Sequence, residues 1–177
     1  MTKEELLKDP LFKELVVDFA KNFNGREETI LNAFEEFKNR RGYDLRDHLP
    51  ALFGQDGDDK NRRVLCDYRE TIGEMLLENF TKPWKNWAHE KSALVRNQAH
   101  GSPANILDLY SVVDIPEIEG IEPLRIRMAS SAANVNGKKL VSAEAATWLN
   151  EHFESNWSDV KVALDRFMLN GINHLVY

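Results

Sequence analysis

From residue 92 onward, short apolar runs alternate with stripes at helical spacing, and few folds accept that alternation. Ala93-Leu94-Val95, Val112-Val113-Asp114-Ile115, Ile126-Arg127-Met128-Ala129, Leu140-Val141-Ser142 and Ile172 to Tyr177 read as strands. Ile106, Leu107, Leu109 and Tyr110, and later Val160, Ala163, Leu164 and Phe167, read as helix faces. Ser102-Pro103 and Ser158 offer helix starts, while Pro116 and Gly171 offer stops. Strand–helix–strand units of this length imply right-handed crossovers and a parallel sheet. Patterning alone leaves open whether such a sheet closes into a barrel or opens as a doubly wound sheet.

Residues 1–91 read differently, as almost all helix. Leu11, Leu15, Phe19 and Phe23 recur every four residues up to Gly25. Ile30, Leu31, Phe34 and Phe37 form a second stripe that stops at Gly42. Leu65, Tyr68, Ile72, Met75, Leu76 and Phe80 form the longest, and Pro83 is expected to end or kink that helix. Cys66 falls within this stripe and reads as a small core residue. Trp84 and Trp87, three apart, read as one packed helical face. The chain therefore divides into a helical segment, 1–91, and a set of βα units, 92–177, within one α/β domain.

Composition excludes several function classes. A net charge of −6 with scattered Lys and Arg lacks the clustered positive surface that phosphate backbones require, so no nucleic-acid partner is expected. No run approaches the ~20 apolar residues of a membrane span. Met1 to Pro10 is charged and has no apolar core of a signal peptide, so the chain carries no address of its own. One cysteine permits neither an internal disulfide nor a multi-cysteine zinc site. No G-x-G-x-x-G, P-loop or Gly-x-Ser-x-Gly pattern occurs, which argues against nucleotide binding and against a serine nucleophile on an elbow.

In parallel α/β proteins functional groups gather at the carboxyl ends of strands. The residues that follow or finish the apolar runs are Arg96, Asn97, Gln98 and His100; Asp114, Glu117 and Glu119; Glu144; and Asn173, His174 and Tyr177. These are donors, acceptors and carboxylates, the groups that hold sugar hydroxyls and cleave glycosidic bonds. Such cleavage needs two carboxyl groups, one protonated for the leaving oxygen and one ionised to activate water or attack directly. Each residue also has a plainer reading. Glu144 could favour a helix N-terminus, Glu117 and Glu119 could be loop charges, His100 a loop histidine and His174 a core histidine.

Several segments resemble, in one order, motifs of the α-L-rhamnosidases of glycoside hydrolase family 106. They are Phe37 to Leu45 (FKNRRGYDL), Asp67 to Thr71 (DYRET), Arg96 to Asn105 (RNQAHGSPAN), Asp114 to Glu119 (DIPEIE), Ala129 to Ala133 (ASSAA) with Leu140 to Ala145 (LVSAEA), and Gly171 to His174 (GINH). The resemblance covers roughly residues 35 to 177. It implies a segment of a catalytic (β/α) barrel of the TIM type, with a helical N-terminal half. It implies inverting hydrolysis of terminal α-L-rhamnosides, with calcium in the sugar site and a rhamnose-containing plant polysaccharide as substrate. Glu144 is then the catalytic base, Glu119 and Glu117 the next acidic candidates, and Asn97, Gln98, His100, Asp114, Asn173 and His174 the sugar-pocket residues; calcium ligands stay unassigned. An acidic motif of the Asp-Ser-Tyr-Glu type, expected upstream of Arg40-Arg41-Gly42-Tyr43-Asp44, is absent from residues 1–34. The chain thus reads as an internal fragment of an exported parent, weakly active or inactive alone. The alternative is an inactive truncated barrel that binds carbohydrate or self-associates through exposed strand edges.

Overall fold

A computed structural model of the protein describes residues 8–10, 12–14, 27–147 and 154–177. The stripe at Leu11, Leu15, Phe19 and Phe23, the break at Gly25, and the side chains of Ile30 and Leu31 lie outside the described residues. The chain forms two compact units, residues 1–74 and 75–177.

The first unit is helical. It contains α1 (Glu27–Arg41), a 3-10 turn (Leu45–His48), the single turn α2 (Leu49–Leu52) and most of α3 (Asp58–Leu76). Phe34 and Phe37 are buried with Phe12, Leu45, Leu49, Val64 and Ile72. Gly42 caps α1 at a φ of 81°, and its amide reaches the Lys38 carbonyl at 2.9 Å, the left-handed closure that glycine accepts without strain. Two of the resembling segments interlock here. Arg41 Nε donates to Thr71 Oγ1 at 2.9 Å, and the same guanidinium pairs with Glu70 and Glu74. The Tyr43 hydroxyl donates to Asp67 Oδ2 at 2.8 Å. Burial, and then the Asp67 carboxylate, hold the Tyr43 phenol far above its ordinary range, so it stays a donor. Cys66 is exposed rather than buried. The inward face of α3 is set by Val64 and Ile72, and Cys66, two residues past Val64, sits roughly 200° round the helix from it.

In the second unit a π-helical turn (Leu77–Thr81) leads into α4 (Lys82–Glu90). Pro83 does not end the helical run: the π-helical turn directly before it, closed by the Lys82 amide on the Leu77 carbonyl, continues into α4, and this wider turn stands where a proline inside a helix disturbs the hydrogen-bond ladder. Trp84 packs beside Ala88, Val95 and Val113, whereas Trp87 is 59 % exposed. The buried seam of α4 follows Trp84 and Ala88, four apart, and leaves Trp87 on the outer flank.

Four short strands, β1 (Arg96–Gln98), β2 (Ile115–Glu119), β3 (Ser142–Glu144) and β4 (His174–Val176), form a parallel sheet in the order β1-β2-β3-β4. The connections are α5 (Ile106–Val112), α6 (Pro123–Val135) and α7 (Trp157–Leu169). This is the α/β arrangement that the alternation implies. The strands, however, lie later than the apolar runs. Leu94-Val95 precedes β1, Val113-Asp114 precedes β2, and Leu140-Val141 precedes β3. Ile126-Arg127-Met128-Ala129, read as a strand, is part of α6. Pro116 lies inside β2 instead of ending it. The Ile115 amide bonds the Val95 carbonyl towards β1, so the Pro116 position turns to the other side, where pairing with β3 begins only at Glu117. Helix starts also differ. Asn105 caps α5, and Asn156 caps α7 in a reciprocal capping box with Asp159.

The core lies between one sheet face and the helices. Ile118 and Ala143 of adjacent strands are fully buried with Leu109, Tyr110, Ile126, Ala129, Ala133, Phe167 and Ile172. Small residues along α6 let backbones approach closely. A Cβ added at Gly171, whose φ is 94°, would meet Ser130 Cβ at 2.8 Å. Among the described residues no helix is long and apolar enough to cross a membrane.

Candidate active site

Side chains alternate between the two faces of a strand, so the register decides which groups meet. Gln98, Glu117, Ser142 and His174 are aligned in one row across the sheet, and Glu119 and Glu144 are aligned in the next. Ile118, Ala143 and Leu175 fill the row between and belong to the core side. Arg96, Gln98, Glu117, Glu119, Ser142, Glu144 and His174 therefore share the other face, which is polar.

On that face Glu117 is the hub. Ser142 Oγ donates to its Oε2 at 2.6 Å, Arg96 Nε lies 3.0 Å from the same oxygen, and Gln98 Nε2 donates to Oε1 at 3.2 Å. Only 6 % of Glu117 is exposed, so two hydrogen bonds and the Arg96 guanidinium offset the burial of its carboxylate. Gln98 Nε2 also donates to Glu144 Oε2 at 2.7 Å. One amide thus bridges carboxylates from two strands. Among the described residues, Glu144 Oε1 has no donor, and Glu144 is half-buried.

The backbone of the hub is held from the core side. The buried Tyr110 hydroxyl donates to the Glu117 carbonyl at 2.9 Å. Burial pushes the Tyr110 phenol up to about 12, although the amides of His100 and Ala99 that it accepts pull the other way. It remains a neutral hydroxyl joining the end of β1 to β2. Sequence reasoning placed Arg96 among the strand-end groups but did not single out Ser142 or Tyr110 for this site. The signal for Ser142 was present in the polar i, i+2 pairs Arg96/Gln98, Glu117/Glu119 and Ser142/Glu144, which a search for apolar runs passes over.

The remaining candidates are placed as follows. Glu119 is in register with Glu144, and its side chain is 47 % exposed, with Oε2 at 4.0 Å from His100 Nε2. His174 opens β4 beside Ser142 and is exposed. Asn97 shares its strand parity with the buried Val95 and Ala99, on the core side and away from Gln98. Asp114 and Asn173 lie at the amino ends of β2 and β4, the end opposite Glu119 and Glu144. Asp114 accepts from the Val95 amide at 2.8 Å and lies 2.9 Å from His89 Nε2, with Lys85 nearby. Burial pushes its pKa up, but the Val95 amide, His89 and Lys85 outweigh burial and leave the carboxyl below its usual range. Asn173 accepts from the Val141 amide at 2.9 Å and donates to the Lys139 carbonyl at 2.8 Å, fastening β4 to the lead of β3. The structure thus joins Gln98, Glu117 and Glu144 directly, and sets Asp114 and Asn173 apart from them.

A calcium ion takes six to eight oxygen ligands, several of them carboxylate. Among the described residues no three His, Cys, Asp or Glu side chains converge as a metal-holding group. Both oxygens of Glu117 already face N–H or O–H donors. As arranged, this face does not fit the ion.

A parallel α/β sheet that gathers carboxylates, amide, guanidinium and hydroxyl on one face has the chemistry of a glycoside hydrolase site. The chain belongs to the α-L-rhamnosidases of glycoside hydrolase family 106, whose profile matches residues 21–177. It is similar to a solved rhamnosidase from Novosphingobium sp. PP1Y, with a TM-score of 0.65 and 26 % identity over 81 % of this chain and 15 % of that one. It is also 26 % identical over 149 residues to a protein of Formosa agariphila named "Putative beta-glucuronidase", covering 80 % of this chain and 13 % of that protein. The chain therefore spans under a sixth of the length of either match.

Proposed function

We propose that the chain is part of the catalytic domain of an enzyme that hydrolyses terminal α-L-rhamnosides with inversion. The observation that carries this reading is the Gln98 amide shared by Glu117 and Glu144 on one sheet face, within a chain of the rhamnosidase family. Glu144 acts as base. Its unengaged oxygen takes a proton from water as the water oxygen attacks the anomeric carbon. The glycosidic oxygen leaves with a proton from a second carboxylic acid. Glu119, in register with Glu144 and open to solvent, is the acid on this face. His100 and His174 supply donors and acceptors for sugar hydroxyls. A rhamnose-bearing plant polysaccharide is the substrate class. Calcium would need donors beyond this face and enters none of these steps.

The architecture we attach to this reading is a (β/α) barrel, of which the four-stranded sheet would be a sector. Two features support it: the sheet is wholly parallel, and one face is polar while helices cover the other. β1 and β4 are the edges among the described residues, and unpaired edges invite another strand. In the full-length protein those edges carry further barrel strands; in the isolated chain they favour self-association.

The test uses the full-length protein and an aryl α-L-rhamnoside, followed by proton NMR. Inversion gives the β-anomer of rhamnose first. First appearance of the α-anomer, or the absence of any turnover, overturns the reading. Turnover only of glucuronides would favour the activity named for the Formosa agariphila protein.

A further inference from the structure

We propose that Glu117 is an anchoring carboxylate and Gln98 a positioning residue, which together hold Glu144 in its working orientation. The inference rests on the hydrolase reading above and assigns roles within that site.

Three observations carry it. First, Glu117 is engaged at both oxygens. Gln98 and Ser142, from the two flanking strands, each donate to one of them, Arg96 pairs with the second, and the Glu117 carbonyl takes Tyr110. A buried carboxylate held this way is fixed in place and spoken for by protein groups. Second, Glu144 makes one such bond, to Gln98 Nε2, and keeps its other oxygen for a reacting group. Third, both carboxylates bond the same nitrogen, at 3.2 and 2.7 Å, so the Gln98 amide fills the place between Glu117 and Glu144 that an inverting pair keeps for its attacking water.

The chemistry of the amide explains why glutamine stands here. Its NH2 offers two hydrogens at about 120°, one for each carboxylate, and it carries no charge that would quench either. A lysine would neutralise Glu144, and a glutamate would repel both. Gln98 therefore keeps two like charges at a fixed separation and fixes which Glu144 oxygen faces outward. Glu119, bonded by none of these donors, stays free to serve as the acid.

Two measurements test the assignment. In nitrogen-edited proton NMR of the 177-residue chain, the Gln98 side-chain pair is identified by its loss in Gln98→Met. Glu144→Gln should move one proton of that pair, and Glu117→Gln the other. Should Glu117→Gln fail to fold, couplings across the hydrogen bonds from Gln98 Nε2 to both carboxylate carbons are read in the unsubstituted chain. In the full-length enzyme, Gln98→Met should lower kcat about tenfold or more with KM little changed, because orientation rather than binding is lost. Glu117→Gln should retain far more kcat than Glu144→Gln, which should lose about a hundredfold or more. A Gln98 pair indifferent to both glutamates, or equal kcat losses at Glu117 and Glu144, overturns the proposal. The NMR arm is blind to activity, so an enzyme without rhamnosidase turnover would sink the earlier reading while leaving this arrangement intact.

Discussion

Ser142 on β3 donates its hydroxyl to Glu117 on β2 at 2.6 Å, from the position directly across the strand pair. The two residues are buried, and the bond is to a charged acceptor. Ser142→Ala leaves that carboxylate one donor short. The expected cost is about 1–3 kcal/mol, read as a lower urea midpoint with an unchanged slope. Ser142→Thr, which keeps the hydroxyl, should recover part of the loss.

Glu144→Gln in the full-length enzyme removes the proposed base without changing side-chain size. Hydrolysis should fall by roughly two to four orders of magnitude, while circular dichroism and the unfolding midpoint stay near those of the unsubstituted protein. Retention of activity would move the base elsewhere.

Gly171 combines a φ of 94° with a backbone pressed on Ser130. Gly171→Ala meets both obstacles: a left-handed conformation that alanine disfavours and a contact of 2.8 Å between its Cβ and Ser130 Cβ. The change should destabilise by about 2 kcal/mol or more. Ser130→Gly, made together with it, should relieve the contact but not the backbone strain, so rescue should be partial.

Asp114 gives a pH signature. Its folded-state carboxyl lies below the ordinary value of 3.8, held there by Val95, His89 and Lys85 against the effect of burial. A depressed carboxyl adds stability above its unfolded value, and that contribution disappears as pH falls through the folded one. The stability difference between the unsubstituted chain and Asp114→Asn should therefore be full at about pH 6 and shrink below about pH 4. A difference that grows on acidification would contradict the sign.

Tyr43→Phe deletes the hydroxyl that reaches Asp67 and leaves the ring against Phe37 and His48. A loss of about 1–2 kcal/mol is expected, seen by thermal or urea unfolding. The prediction treats the Arg40 to Asp44 and Asp67 to Thr71 segments as a structural latch, since their polar groups satisfy one another.

The order of strands and helices was legible because alternation at that spacing leaves few alternatives. The strand positions were less so. One face of β1, β2 and β3 carries Arg96 and Gln98, Glu117 and Glu119, and Ser142 and Glu144, so apolar content peaks near or before the start of each strand and not along it. Ile126 to Ala129 misled for the opposite reason: four residues of a buried helix face are indistinguishable from a strand by hydrophobicity alone. Within the site, Gln98, Glu117 and Glu144 could be picked out as polar groups at strand ends. That Asp114 and Asn173 lie at the amino ends could not be seen, because the strands start two or three residues later than the runs that announce them. Nor could Tyr110, whose role depends on a contact across the core.

Strands of three residues form few ladder bonds, and such short segments slip easily past their neighbours. Here a sideways lattice of Arg96, Gln98, Glu117 and Ser142 stitches β1, β2 and β3 together through their side chains. A slip of one residue would turn Glu117 into the oily layer and Ile118 outward, so each misalignment is penalised by both peptide and side-chain groups. The cluster that would handle sugar also proofreads the sheet, and changes made there to alter chemistry will be felt as errors of alignment.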